Sequence, residues 1–204
     1  MAVTPIYGWP VPVATDLVKD GYAAIADLGD AIDATVGGLG VPGLVLINTT
    51  TMAAVASQSV NDVFSATYNN YLIHLNITGS TTLTSVDMRL RVGGADNSST
   101  IYARSQLLQD STTVTGSRNT SQTSWTNVTG IVSTERTFTQ LTVTQPFASF
   151  HSGMIGDVIE SINSGVYQKR SAWGTNVTTS FTGFSLIPSA GTMTGTIRTY
   201  GFKV

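Results

Sequence analysis

The hydrophobic period of this chain changes at the stretch GGLGVPG, residues 37–43. Before it, residues 15–36 (TDLVKDGYAAIADLGDAIDATV) carry apolar side chains at helical spacing. After it, short segments alternate with a period of two. In YLIHLNIT, Tyr71, Ile73, Leu75 and Ile77 share one face. In VDMRLRV, Val86, Met88, Leu90 and Val92 share one face, with Asp87, Arg89 and Arg91 opposite. The first pattern buries one stripe of a helix and the second buries one face of a strand. Gly caps a helix in the left-handed conformation and Pro42 blocks its continuation, so the stretch marks a domain boundary.

Other segments beyond the boundary read less cleanly. In TFTQLTVTQPF, Phe138 is out of step with Leu141 and Val143, which suggests a bulge. MIGDVIESI (154–162) fits either a short helix or a strand with a bend. TSFTGFSLIP and MTGTIRTYGFKV read as two closing strands joined by SAGT. With the turn clusters GGADNSS, TGSRNTS and NSG, the spacing predicts about eight to ten strands. The fold class expected is all-β: a jelly-roll-like antiparallel β-sandwich over 44–204. It is preceded by an extended arm (1–14), one short α-helix (15–36) and a Gly/Pro linker (37–43).

Thr15 or Asp16 is the candidate N-cap of that helix. Val18, Ile25 and Ile32 recur every seven residues, Leu28 adds a d-type position, and Tyr22 and Val36 lie alongside. Gly21 and Gly29 each cost ~1 kcal/mol against Ala. A helix this short is marginal alone and needs a partner, either copies of itself or the body of the domain.

The arm holds Pro5, Pro10 and Pro12, three of the chain's six prolines, with Tyr7 and Trp9 among them. Proline fixes φ and removes a donor, so the arm suits neither a helix nor a central strand. A β domain that closes without the arm leaves its two aromatics to bury against a different protein.

Charged residues make up 11% of the chain, against about 25% in ordinary soluble domains. Thr and Ser take their place, and Thr tolerates a half-exposed sheet face. Net charge is −2, so no global basic field attracts nucleic acid. Five Asp and one Lys fall between Asp16 and Asp33, leaving the remainder slightly basic. Cysteine is absent, which removes disulfides, thiolate metal sites and thiol catalysis. No basic-then-apolar leader is visible, and the longest apolar runs, such as 41–47, are too short to span a bilayer. No membrane insertion is expected, and exit from a cell would be by lysis.

Two histidines, His74 and His151, are too few and too far apart for a metal site. No serine sits in a nucleophile-elbow pattern. No spacing singles out a pair among the twelve carboxylates, and GADNSS reads as a turn rather than a calcium loop. The chain is therefore read as a non-enzyme, with no catalytic residues, metal or cofactor. Arginines spread through the strands, with Tyr102 and Trp125, suit contacts to sugars or another subunit. Arg104, Arg118 and Trp125 are the candidate outer-surface residues.

Three stretches together suggest a family. TPIYGWPVPVATDLVKDGYAAIADLGDAID resembles the N-terminal arm and short helix of tail-associated virion proteins of actinobacterial phages. YNNYLIHLNITGS with VDMRLRVGGADNSS is similar to a β-hairpin of their C-terminal domains, and GFSLIPSAGTMTGTIRTYGFKV resembles their paired final strands. Residues 110–175 are the least recognisable. The resemblance implies a trimeric minor tail or fibre-like protein, made in the host cytoplasm and carried on the exterior of the virion. Tyr7, Trp9, Pro10 and Pro12 would then dock on another virion protein. Val18, Ile25, Leu28 and Ile32 would form the homotrimer seam, and the β domain would face the host, with a cell-surface glycan as a candidate partner. A capsid decoration protein or head fibre needs the same plan, and a carbohydrate-active or lectin module is a further reading.

Overall fold

The computed structural model describes residues 2–13, 18–38, 43–81, 84–110, 112–133, 135–162 and 165–203. The chain divides into two compact units, Met1–Pro42 and Gly43–Val204.

In the first unit, β1 (Ala2–Val3) pairs antiparallel with β2 (Pro10–Val11). The Thr4 amide donates to Trp9 O at 2.9 Å, and the Gly8 amide donates to Thr4 O at 3.0 Å. The arm is thus a closed hairpin rather than an extended segment. Each strand of a two-stranded ribbon has a free edge, so a proline's missing donor is tolerated there. Gly8 supplies the positive φ of 66° within the connection.

A 3₁₀ turn at Val18–Asp20 leads into α1 (Gly21–Gly38). Gly37 and Gly38, assigned to the linker from sequence, extend the helix, because a glycine near a helix end loses less than one in its interior. Gly43 already belongs to the first strand of the second unit. The N-cap candidates Thr15 and Asp16, and linker residues 39–42, lie outside the described residues.

Among its described residues the second unit holds thirteen strands, more than the eight to ten expected, since strands as short as Gln58–Val60 and Ala95–Asp96 leave no periodic signal. The first seven are β3 (Gly43–Val55), β4 (Gln58–Val60), β5 (Asn70–Gly79), β6 (Thr84–Val92), β7 (Ala95–Asp96), β8 (Tyr102–Asp110) and β9 (Thr113–Gln122). The rest are β10 (Trp125–Ile131), β11 (Thr137–Thr144), β12 (Gly153–Ile162), β13 (Gly165–Thr175), β14 (Gly183–Pro188) and β15 (Met193–Lys203). One sheet has eight strands in the order β3-β15-β5-β11-β12-β13-β8-β9. The other has five, β10-β6-β14-β4 with β7 paired to β6. All pairings are antiparallel, so the all-β sandwich read from sequence is the architecture found.

The core lies between the sheets. Tyr71, Ile73, Leu75 and Ile77 of β5 share it with Val86, Met88 and Leu90 of β6 and Phe184 and Leu186 of β14. Each such side chain contributes about 1.5–3 kcal/mol by leaving water. Phe64 packs edge-on against Tyr71 at 4.7 Å between ring centres. The Tyr71 hydroxyl accepts from the Ser65 amide at 2.7 Å and donates to Ser65 O at 2.9 Å, which ties the β4–β5 loop to the core.

β11 and β12 also differ from expectation. β11 has no bulge: it pairs residue by residue with β5 from Thr137 to Thr144 and with β12 from Phe138 to Thr144. Thr137, Thr139, Leu141 and Val143 point inward, and Phe138 is out of step because it points outward. MIGDVIESI lies in β12, which pairs with β13 over its whole length from Gly153 to Ile162, so the helical alternative fails. The register does shift in β15, beside Gly195. There φ is +145°, and an added Cβ would collide with the Asn76 carbonyl oxygen, so only glycine fits.

Candidate functional site

The hairpin of the first unit is fastened to its own helix. Trp9 Nε1 donates to Thr35 Oγ1 at 2.8 Å, and that hydroxyl donates to Ala31 O at 2.8 Å. Tyr7 stacks on Trp9, with ring centres 5.1 Å apart and planes 17° from parallel. Trp9 and Pro10 are half-buried, while Tyr7 and Pro12 are exposed. Two of the four docking residues read from sequence are therefore partly covered within the chain. Ile6, which sequence reasoning did not single out, is 82% exposed in the turn.

Two faces of the helix differ. Ala24, Leu28, Ala31 and Thr35 follow a four-three-four spacing on the face that holds Trp9, and all are buried or half-buried. Positions 22, 25, 29, 32 and 36 of α1 follow a three-four-three-four spacing, the coiled-coil pattern, on a face about 100° away, and Val18 of the 3₁₀ turn precedes them at the same sequence interval. Val18 is 98% exposed and Ile25 is 66% exposed, with Tyr22 and Val36 also open and Ile32 half-buried. Leu28 therefore does not belong to the seam with Val18, Ile25 and Ile32. Tyr22, Gly29 and Val36 complete it instead. Asp20, Asp27 and Asp30 fall at outward positions of that repeat, away from the seam.

In the second unit the outer face of the eight-stranded sheet carries a mixed polar and apolar surface. Register sets Arg198 of β15 beside His74 of β5, His74 beside Gln140 of β11, and Gln140 beside Asp157 of β12. In the next outward row, Thr196, Asn76, Phe138 and Ile159 stand in the same strand order. A hollow of about 370 Å³ lies between these rows. Phe138 and Ile159 are well exposed beside it. Asn76 Oδ1 accepts from Arg136 Nη1 at 3.3 Å, and Arg170 Nε lies 3.7 Å from Asp157 Oδ1 in an exposed pair. The His74 ring meets Tyr200 edge-on at 5.6 Å. The Arg198 guanidinium has no hydrogen-bond or ion-pair partner among the described residues.

The outer-surface residues read from sequence separate. Trp125 is fully buried: Nε1 donates to Gly174 O at 3.1 Å, and the ring meets Tyr102 edge-on at 6.0 Å. It opens β10 on the inward side, so it cannot serve as an outer contact. Arg104 is half-buried, with Nη1 donating to Thr126 O at 3.4 Å. Burial lowers its pKa, opposed by the Asp87 carboxylate. Only Arg118, exposed on β9, keeps the place expected of it. Tyr102 is buried too, which pushes its hydroxyl pKa up to about 12 against the opposing hydrogen bond from the Leu90 amide.

Several ionisable groups are engaged in holding loops. Asp87 accepts from Ser124 Oγ and the Asn127 amide, both at 2.8 Å. Asp96 accepts from Arg91 and from Ser185 Oγ. His151 Nδ1 donates to Thr175 O at 2.9 Å. Among the described residues no three His, Asp or Glu side chains converge as metal ligands, and no helix is long and apolar enough to cross a membrane. The surface formed by Asn76, Phe138, Gln140, Asp157, Ile159 and Arg198 escaped sequence reasoning because it depends on cross-strand register. Its one local signal was Phe138, out of step in an otherwise regular strand. No known protein family, curated protein or solved structure matches the chain.

Proposed function

We propose that this chain is a structural and attachment protein of a phage virion, of the minor tail or fibre-like kind, and that it acts without catalysis as a homotrimer. The observation that carries this reading is the unpartnered heptad seam of α1, next in sequence to a β-sandwich that closes its own core. Ile25 and Ile32 occupy the d positions of that repeat, with Val18 of the 3₁₀ turn one heptad before them, and β-branched residues at d disfavour two-stranded packing, so the seam suits three copies. Gly21, Gly29, Gly37 and Gly38 weaken α1 on propensity, which gives the hairpin brace and the trimer each a role.

The virion partner meets the hairpin turn. With Trp9 engaged by Thr35, the apolar groups on offer are Ile6 and the free face of Tyr7, flanked by Pro12. The sandwich is then presented outward on the particle. Mass spectrometry of purified virions tests the reading: the chain should be present at a fixed copy number, few for a tail and many for a shell-decorating protein. Deletion of residues 1–13 should leave a folded sandwich but remove the chain from particles. Incorporation of the deleted chain at the normal copy number would overturn the anchoring role.

A further inference from the structure

We propose that the hollow on the outer face of the eight-stranded sheet is a binding site for an anionic polysaccharide. This inference does not rest on where the chain is mounted. Three observations carry it.

The first is the ring. Phe138 lies in an interior strand of its sheet, is 58% exposed, and has Ile159 beside it. An exposed phenyl ring in the middle of a strand array offers a flat apolar platform, which the C–H face of a sugar ring fits. The second is the set of groups around it. Asn76, Gln140, His74 and Arg198 are planar polar side chains on adjacent strands, projecting to one side at intervals of about 5 Å. Planar donors and acceptors at that spacing suit the neighbouring hydroxyls of a saccharide.

The third is charge. The chain as a whole carries −2. The strands nevertheless turn Arg118, Arg170 and Arg198 to this face, and their one outward carboxylate among the described residues, Asp157, is already opposite Arg170. Among the described residues Arg198 has no partner at the hollow. A guanidinium with five donors in a fixed fork calls for a carboxylate or a phosphate. An acidic group on the polymer pairs with Arg198 while the sugar ring lies on Phe138 and Ile159.

The carboxylate of a uronic acid and the phosphodiester of a teichoic-type polymer share this chemistry, and the test separates them. The full-length chain is run in native gels containing polygalacturonate, poly(glycerol phosphate) or neutral dextran. Retardation by one or both anionic polymers but not by dextran is expected, against the repulsion that the chain's net charge sets. Retardation by polygalacturonate assigns the carboxylate, and retardation by poly(glycerol phosphate) assigns the phosphodiester. Arg198→Gln should abolish the retardation, and Phe138→Ala should weaken it about tenfold, the loss of one ring contact. Both side chains face solvent, so thermal melting should stay unchanged in both variants. Free migration in both anionic gels overturns the proposal. So does equal retardation by dextran, or retardation that survives both substitutions. A change in sedimenting mass on Phe138→Ala would also overturn it, because the hollow would then be a contact between copies.

Discussion

In the Gly43–Val204 unit, Tyr71, Tyr102, Trp125 and Phe184 are wholly inaccessible, whereas the described helix of the Met1–Pro42 unit buries a single residue, Ala24. The two units meet the same problem, hiding apolar surface, in opposite ways. The sandwich hides it from within, by facing two sheets. The hairpin covers one flank of the helix and leaves Val18, Tyr22, Ile25 and Val36 open. The sandwich thus closes its own core, while the helical unit keeps much of its apolar surface exposed. Substitutions in the two units should differ in what they change, not only in how much.

The largest effect belongs to the sandwich. Trp125→Ala removes a fully buried indole and its hydrogen bond to Gly174 O, and should cost about 3–5 kcal/mol in urea unfolding. Gly195→Ala comes next. It places a side chain against the Asn76 carbonyl at a φ that L-residues avoid, and should cost about 2 kcal/mol or more by the same measurement. The comparison sharpens at high pH. Burial raises the Tyr102 pKa above its ordinary 10 to about 12, so the folded state keeps a proton that the unfolded state loses. Its contribution is complete below pH 10 and is lost as pH rises through 12, so unfolding midpoints should fall in that window. Tyr102→Phe should flatten the fall.

Effects in the helical unit should be smaller and local. Thr35→Ala deletes the acceptor of Trp9 Nε1 and should cost about 1 kcal/mol. The loss should appear as a red shift of Trp9 fluorescence, read in a chain whose two buried tryptophans, Trp125 and Trp173, are replaced by Phe. The sandwich midpoint of that chain should not move when Thr35 is changed.

The sequence revealed the unit whose rule is local. Alternation in YLIHLNIT and VDMRLRV assigns the inward faces of β5 and β6 correctly, because a period of two needs no knowledge of the partner strand. The GGLGVPG boundary falls within a few residues of the observed division for the same reason. What depended on distant pairing was not legible. Trp125 looked like a surface aromatic until β10 was placed as the edge of the smaller sheet, facing inward. Phe138 looked like a bulge because sequence does not say which face of β11 meets solvent. Leu28 reads as part of the seam because both helix faces carry apolar residues, and the hydrogen bond from Trp9 to Thr35, with the burial of Ala24, identifies which face the hairpin takes.

Assembly is expected at the open face of α1, and Ile25 is at its centre, 66% exposed. Ile25→Asp should leave the sandwich's unfolding free energy within about 0.5 kcal/mol of wild type, as for other exposed positions. Its consequence should lie in assembly. Sedimentation equilibrium of the full-length chain at micromolar concentration measures it: wild type should sediment at three times the chain mass and Ile25→Asp at the chain mass. A wild-type monomer at that concentration, or an Ile25→Asp chain that remains trimeric, would contradict the account.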